Sequence, residues 1–247
     1  LALVVAVLIG TSIFGAVAND MRSLTRAVRR VGLGEIDTPI EVQRRDEIGE
    51  LAHNFHRMRH SLFTDPLTGA SNRSALQHIL TTLTRPLPGQ SMAAPFALLF
   101  VDLDRFKPLN DRWGHDNGDL ALAEISLRLR NLLRPDDVVA RLGGNRFSVL
   151  LNEIADPQTI GSICEKLLTA FGRPFELGGL NVHVSISIGA AIYPTDGQDS
   201  KTLMIASESA LYSAKADGRN LYKYYSREMN ELGSQLFKLE SMLRLAL

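Results

Sequence analysis

One cysteine, Cys164, stands among 247 residues. A single thiol excludes an intrachain disulfide and fits a reducing cytosol. It falls in a predicted helix over 158–171 and reads as an inert core residue, because nothing near it in sequence supports reactivity. Neither charge is in excess: Lys+Arg and Asp+Glu each number 27. No global basic bias points to DNA or RNA, so no nucleic-acid partner is expected, although a local basic patch is enough to hold a nucleotide phosphate. Charge is missing altogether from 1–18, where Thr11 and Ser12 are the only hydroxyls. That length is about the minimum for a membrane span. A signal peptide would carry basic residues before the apolar run. Here Arg22, Arg26, Arg29 and Arg30 follow it. The order predicts a transmembrane helix over 1–18 with the rest of the chain on the cytoplasmic side of the inner membrane. A buried soluble helix would show a polar face, and this run shows none. An initial methionine is also missing, so the expectation is a fragment that starts inside or at the edge of the span.

What is present reads as globular. The hydrophobic fraction of 45% and charged fraction of 22% are ordinary, and the length allows one large domain or two smaller units. From 19 to 63 a helical unit appears. Leu24, Val28 and Val31 recur at helical spacing, Gly32 and Gly34 interrupt them, and Pro39 keeps the next stretch extended. Arg45-Asp46-Glu47-Ile48-Gly49-Glu50-Leu51 follows. Ile48, Leu51, Phe55, Met58 and Leu62 then make a coiled-coil seam. Helix, glycine-containing connector and Asp-Glu-Ile-Gly-Glu-Leu helix together resemble the HAMP linker, which joins a membrane span to a cytoplasmic output domain. A proline common in the first HAMP helix is replaced here by about Ser23. The resemblance implies a parallel homodimer; a generic dimeric coiled coil is the plainer alternative.

From 64 to 225 the pattern is α/β. Helices are predicted over 71–83, 116–133, 158–171 and 200–216. Strands are predicted over 96–101, 138–142, 147–152, 182–192 and 221–225, with a hairpin tip at Gly178-Gly179. The stretch 96–101 is apolar throughout and reads as a central strand buried on both faces. The order predicts a mixed central sheet flanked by helices, an α/β (α+β) fold.

Several motifs in this region occur in one order. Asp65-Pro66-Leu67-Thr68-Gly69-Ala70-Ser71-Asn72-Arg73 opens it. Asp102-Leu103-Asp104-Arg105-Phe106-Lys107-Pro108-Leu109-Asn110-Asp111 follows the apolar strand. Gly114-His115-Asp116-Asn117-Gly118-Asp119, the turn Gly143-Gly144-Asn145-Arg146-Phe147, and Lys215 with Arg219 complete the set. An acidic residue ending a buried strand suits Mg2+, which prefers oxygen donors. Carboxylate and amide side chains suit the donors and acceptors of a guanine edge. Taken singly, each acidic residue is as well explained by a turn or a helix cap. Together they resemble the GGDEF domain, the nucleotide-cyclase-like family that condenses two GTP into cyclic di-GMP. The resemblance implies that Asp102 and the Leu103 carbonyl hold Mg2+, and that Asn110 and Asp119 read guanine. It implies that Lys107, Lys215 and Arg219 meet phosphate. Phe106, Gly143 and Gly144 complete the nucleotide site.

The signature turn departs from the family pattern, Gly-Gly-Asp/Glu-Glu-Phe. Its first acidic residue is a metal anchor, and here Asn145 and Arg146 stand at the two acidic positions. Relative to Asp-Glu the charge moves from −2 to +1. At an effective dielectric near 20, one such charge ~4 Å from another is worth about 4 kcal/mol before screening. A loss of that size slows a reaction roughly a thousandfold. The expectation is negligible cyclase activity with nucleotide binding retained, Arg146 replacing part of the metal's charge. Arg134 and Asp137, in Arg134-Pro135-Asp136-Asp137, match the spacing of the family's inhibitory cyclic di-GMP site. A solvated turn explains them equally well. The tail 226–247 ends in Leu239-Glu240-Ser241-Met242-Leu243-Arg244-Leu245-Ala246-Leu247, which resembles the first helix of an EAL phosphodiesterase domain. Three functions stand open on these residues: a nucleotide-sensing regulator, an active diguanylate cyclase, and a structural dimeric relay.

Overall fold

The computed structural model describes residues 2–32, 44, 46–85, 94–154, 156–177, 180–227 and 229. Gly34, Pro39, Gly178-Gly179 and nearly all of the tail 226–247 lie outside them. The chain divides into two compact units, Leu1–Phe63 and Thr64–Leu247.

The first unit holds α1 (Ala2–Gly32) and α2 (Glu47–Phe63). The expected span and the helix after it are one continuous element. Among the described residues no helix is long and apolar enough to cross a membrane; the side chains of 2–13 lie outside that set. Arg44 ties this unit together, pairing with Asp46 at 2.5 Å and with Asp20 of α1 at 3.2 Å. A Cβ at Gly49 would lie 2.0 Å from the Arg44 carbonyl oxygen. The glycine in Asp-Glu-Ile-Gly is therefore what lets the Arg44 backbone lie against α2. Leu51, Met58 and Leu62 of the expected seam are half exposed in the single chain.

The second unit holds, in order, β1 (Ser71–Asn72), α3 (Arg73–Leu83), β2 (Phe96–Leu103), α4 (Phe106–Trp113), α5 (His115–Leu132), β3 (Val138–Gly143) and β4 (Arg146–Leu151). Then come α6 (Pro157–Phe171), β5 (Phe175–Leu177), β6 (Leu180–Val182), β7 (Ile186–Tyr193), α7 (Ser200–Ala216) and β8 (Tyr222–Tyr224). Six strands make a mixed sheet in the order β1-β3-β4-β2-β7-β8. The two edge pairings, β1 with β3 and β7 with β8, are parallel, and the inner ones are antiparallel. The cyclase-like mixed sheet expected from the sequence is the observed one.

β2 shows why its sequence is apolar throughout. Side chains alternate across a strand. Ala97, Leu99, Val101 and Leu103 enter a core with α4, α5 and α6, whereas Phe96, Leu98 and Phe100 enter a second core with α3 and α7. By the same alternation Asp102 emerges on the α7 side. Cys164 is fully buried in the first core, and burial pushes its thiol up to about 12. It is inert at neutral pH, as expected.

Two expectations are corrected. The run 182–192 is not one strand. Val182 closes the small β5-β6 sheet, and β7 starts anew at Ile186. Val182, Val184, Ile186 and Ile188 all face the same core, so the alternation runs unbroken across a change of partner. Likewise 71–83 starts as a two-residue strand, after which the Asn72 side chain caps α3 by accepting from the Ala75 amide at 3.0 Å.

Candidate nucleotide site

The site lies where β2 ends beside the β3–β4 turn. Gly143 and Gly144 have φ of 117° and 56°, the left-handed region that glycine enters without steric cost. They turn the chain so that Arg146 pairs with Gly143 on one side and lies opposite Asp102 of β2 on the other. Arg141 fixes the turn from behind. Its Nε and Nη2 donate to the Gly144 carbonyl at 3.1 and 2.9 Å, and its Nη1 lies 3.1 Å from both Asp65 oxygens. Burial opposes ionisation of Asp65, but hydrogen bonds from the Thr68 hydroxyl, Arg141 and the Thr68 amide outweigh it and hold the carboxyl below its usual range. The opening motif thus anchors the signature turn.

The front of the turn is filled by donors. Asn145 Nδ2 lies 2.9 Å from Asp102 Oδ1 and 2.8 Å from the Leu103 carbonyl oxygen. Both partners are acceptors, so the amide must present its nitrogen to them. Lys215 of α7 brings Nζ to 2.7 Å from the same Asp102 oxygen. Arg146 Nε lies 3.4 Å from the other oxygen, and Arg146 Nη1 donates to Glu208 Oε1 at 2.7 Å. Asp102 is buried, its side chain 4% exposed, and a buried carboxylate is stable only when paired in this way. α7 comes this close because Gly189 of β7 has no side chain: a Cβ there would lie 2.1 Å from the Leu211 amide nitrogen.

The expected guanine readers gather on the α4–α5 corner. Asn110 packs its amide on Gly118, where a Cβ would meet Oδ1 at 2.0 Å. That Oδ1 is buried without a hydrogen-bond partner, an orphan acceptor of the kind a ligand donor satisfies. Asp119 follows Gly118 and is exposed, as is Lys107. Phe106 is different. Its ring is packed in the first core and it anchors α4, so it supports the site by position and does not line it.

Arg219 lies in a loop with φ of 121° at Gly218, 66° at Arg219 and 51° at Asn220. Two non-glycine residues in this region need outside support. Asp104 supplies it, accepting from Ser185 Oγ at 2.8 Å, Ser187 Oγ at 2.7 Å and the Asn220 amide at 3.1 Å. Asp104 and Glu208 were not among the expected site residues. Asp104 stood inside a recognised motif and its alternation with Asp102 was a usable signal, whereas Glu208 carried none.

Arg134 and Asp137 form a separate corner. Asp137 accepts from the Arg134 amide at 3.0 Å and the Asn152 amide at 3.3 Å. Both carboxylate oxygens are thus used by backbone, while the Arg134 side chain is exposed. With Asp136, Glu153 and Phe96 they border a cavity of about 420 Å³.

A sequence profile described as "Diguanylate cyclase, GGDEF domain" matches residues 62–221, and the HAMP domain profile matches residues 13–64. The chain belongs to the GGDEF family. The chain is similar to part of MucR of Pseudomonas aeruginosa, a "Bifunctional diguanylate cyclase/cyclic di-GMP phosphodiesterase", at 43% identity over 62% of this chain and 22% of that protein. It is similar to NbdA of the same organism, a "Cyclic di-GMP phosphodiesterase", at 34% identity over 81% of this chain and 25% of that protein. The chain thus spans about a quarter or less of these relatives' length. The solved GGDEF domain of TpbB (YfiN) from P. aeruginosa superposes with a TM-score of 0.65 at 33% identity, covering 69% of this chain and 99% of that one.

GGDEF domains generally use Mg2+, and the resemblance implies Asp102 and the Leu103 carbonyl as its holders. The donor set of this chain does not fit the ion. The acceptors meant for it are taken by an amide, an ammonium and a guanidinium. Among the described residues no group of three or more His, Cys, Asp or Glu side chains is placed to hold a metal.

Proposed function

We propose that this GGDEF domain is a nucleotide-sensing regulator in cyclic di-GMP signalling and not itself a cyclase. One observation carries the reading: Asn145 Nδ2 bridges Asp102 Oδ1 and the Leu103 carbonyl at 2.9 and 2.8 Å, the two oxygens a catalytic metal would take. Cyclisation requires a 3′-hydroxyl of one GTP to attack the α-phosphate of another, with developing charge neutralised by metal. A neutral amide and a guanidinium at 145 and 146 do not supply a ligand set for that metal. Binding is another matter. The orphan acceptor of Asn110, the neighbouring Asp119, and the cations Lys107, Lys215 and Arg219 remain as a guanine and phosphate set.

Membrane attachment is supported by the uncharged run 1–18 and the arginines that follow it. The half-exposed seam Leu51, Met58 and Leu62 supports a parallel homodimer through the HAMP unit. Relatives named as phosphodiesterases, one of them bifunctional, support an EAL domain as the element regulated. Arg134 and Asp137, beside their cavity, are the candidate site for cyclic di-GMP.

Turnover tests the central reading. The full chain incubated with GTP and Mg2+ or Mn2+ is expected to leave GTP intact by chromatography. Formation of cyclic di-GMP would make the domain an active cyclase. Absence of both product and nucleotide binding would leave a structural relay.

A further inference from the structure

Arg146 is held between two carboxylates. Its Nε lies 3.4 Å from Asp102 Oδ2 and its Nη1 2.7 Å from Glu208 Oε1. Glu208 and Lys215 are seven residues apart on α7, two helical turns, and so share one face. The four side chains form a line of alternating sign: Lys215, Asp102, Arg146, Glu208. Their formal charges sum to zero.

The two carboxylates are not equivalent. Asp102 is 4% exposed and fixed by three donors. Glu208 is 55% exposed, and Arg146 is its one partner in this line. A triphosphate without metal is a polyanion that needs uncompensated cations, and Glu208 already compensates one. Its carboxylate presents to Arg146 the same acceptor oxygens that a phosphate would.

We propose that Glu208 is an internal stand-in for phosphate: it occupies Arg146 in the unliganded domain and is displaced when a nucleotide phosphate binds. The inference rests on the nucleotide-binding reading above and names the residue that sets phosphate affinity at that site. An exposed pair of this kind is worth up to about fivefold in an equilibrium constant and is screened by salt. Exchange with phosphate is therefore easy, and its effect fades at high ionic strength.

The test is calorimetry in chelator with GTP, inorganic tripolyphosphate and guanosine. The proteins are the wild-type chain, Glu208→Gln, Arg146→Ala and the double variant. Glu208→Gln is expected to tighten GTP and tripolyphosphate about fivefold at low salt and less at high salt, with guanosine unchanged. The gain is expected to vanish in the Arg146→Ala background. Glu208→Ala, at the same exposed helix position, is expected to shift affinity in the same direction. Unchanged or weaker phosphate binding in both Glu208 variants overturns the proposal, as does an equal gain without Arg146. If wild type binds GTP and the Glu208 variants match it, the stand-in role falls and the nucleotide reading survives. If Glu208→Gln gains tripolyphosphate affinity while no protein binds GTP, the stand-in role survives and the nucleotide reading falls. No binding of any probe overturns both.

Discussion

Lys215 of α7 places its ammonium 2.7 Å from Asp102 Oδ1, the same oxygen that accepts from the Asn145 amide at 2.9 Å. Two donors from distant parts of the sequence converge on one buried oxygen. The carboxylate that serves as a metal anchor elsewhere in the family is here a fully paired structural group. With Asn145 at the turn, Asp102 is met by an amide, an ammonium and a guanidinium.

Restoring that residue alone is expected to be harmful without metal. In Asn145→Asp a third acceptor faces Asp102 and the Leu103 carbonyl, where two hydrogen bonds stood. Unsatisfied buried acceptors cost about 1–3 kcal/mol, which lowers Tm by about 2–12 °C in a domain of this size. Mg2+ is expected to recover part of the loss in the variant and to leave wild type unmoved. Scanning calorimetry with and without Mg2+ checks this; equal melting of both proteins in chelator would refute it.

Arg141→Met separates the turn from the opening motif. Asp65 and the Gly144 carbonyl lose their guanidinium partner, with an expected cost of about 1.5–3 kcal/mol in urea unfolding at pH 7. The pH dependence has a definite sign. The folded carboxyl of Asp65 titrates below its ordinary value, and the unfolded one near roughly pH 4. Its contribution is full above the unfolded value and is lost as pH falls through the folded one. The gap between wild type and Arg141→Met should therefore narrow below about pH 4. A gap that stays constant would show that Arg141 acts through Gly144 alone.

Much of this site was legible because its residues sit in ordered motifs at the ends of strongly patterned elements. Asp102 follows a strand whose apolar run needs two covered faces. Asn145 and Arg146 lie in a turn that two glycines mark. Other parts were not legible, for physical reasons. β1 has two residues, too few to show a period. The break between β6 and β7 is hidden because Val184 in the connector is as buried as the strand residues around it. Phe106 falls inside a ligand motif, yet its ring serves the core. Glu208 is an exposed acid on an amphipathic helix, and nothing in its local sequence points to Arg146 sixty-two residues away.

Gly189→Ala tests how α7 is delivered. The added methyl would lie 2.1 Å from the Leu211 amide nitrogen and 2.3 Å from the Ser207 carbonyl oxygen. Backbone must move, and overpacking of this kind costs about 1–3 kcal/mol. Lys215 and Glu208 move with the helix, so GTP affinity is expected to fall together with the urea midpoint. A stable variant with unchanged GTP affinity would show that α7 is not held by this contact.

Asp104 is expected to act on phosphate binding without touching it. Asp104→Ala strips partners from Ser185, Ser187 and the Asn220 amide, leaving the left-handed backbone at Arg219 and Asn220 unsupported. GTP affinity should drop about tenfold, as for one lost charge-assisted contact. Asp104→Asn, which keeps acceptor capacity, should retain part of it. Guanosine affinity should not change. Equal losses for GTP and guanosine would point to general unfolding.

The most direct measurement is the metal dependence of nucleotide binding in the full chain. GTP is titrated calorimetrically in chelator and again in Mg2+, at matched ionic strength. With Asn145, Lys215 and Arg146 standing at the metal's acceptors, the two affinities are predicted to agree within about twofold. Binding that appears only with Mg2+ would contradict the account, because the phosphate charge would then be offset by the ion and not by the cations of the site.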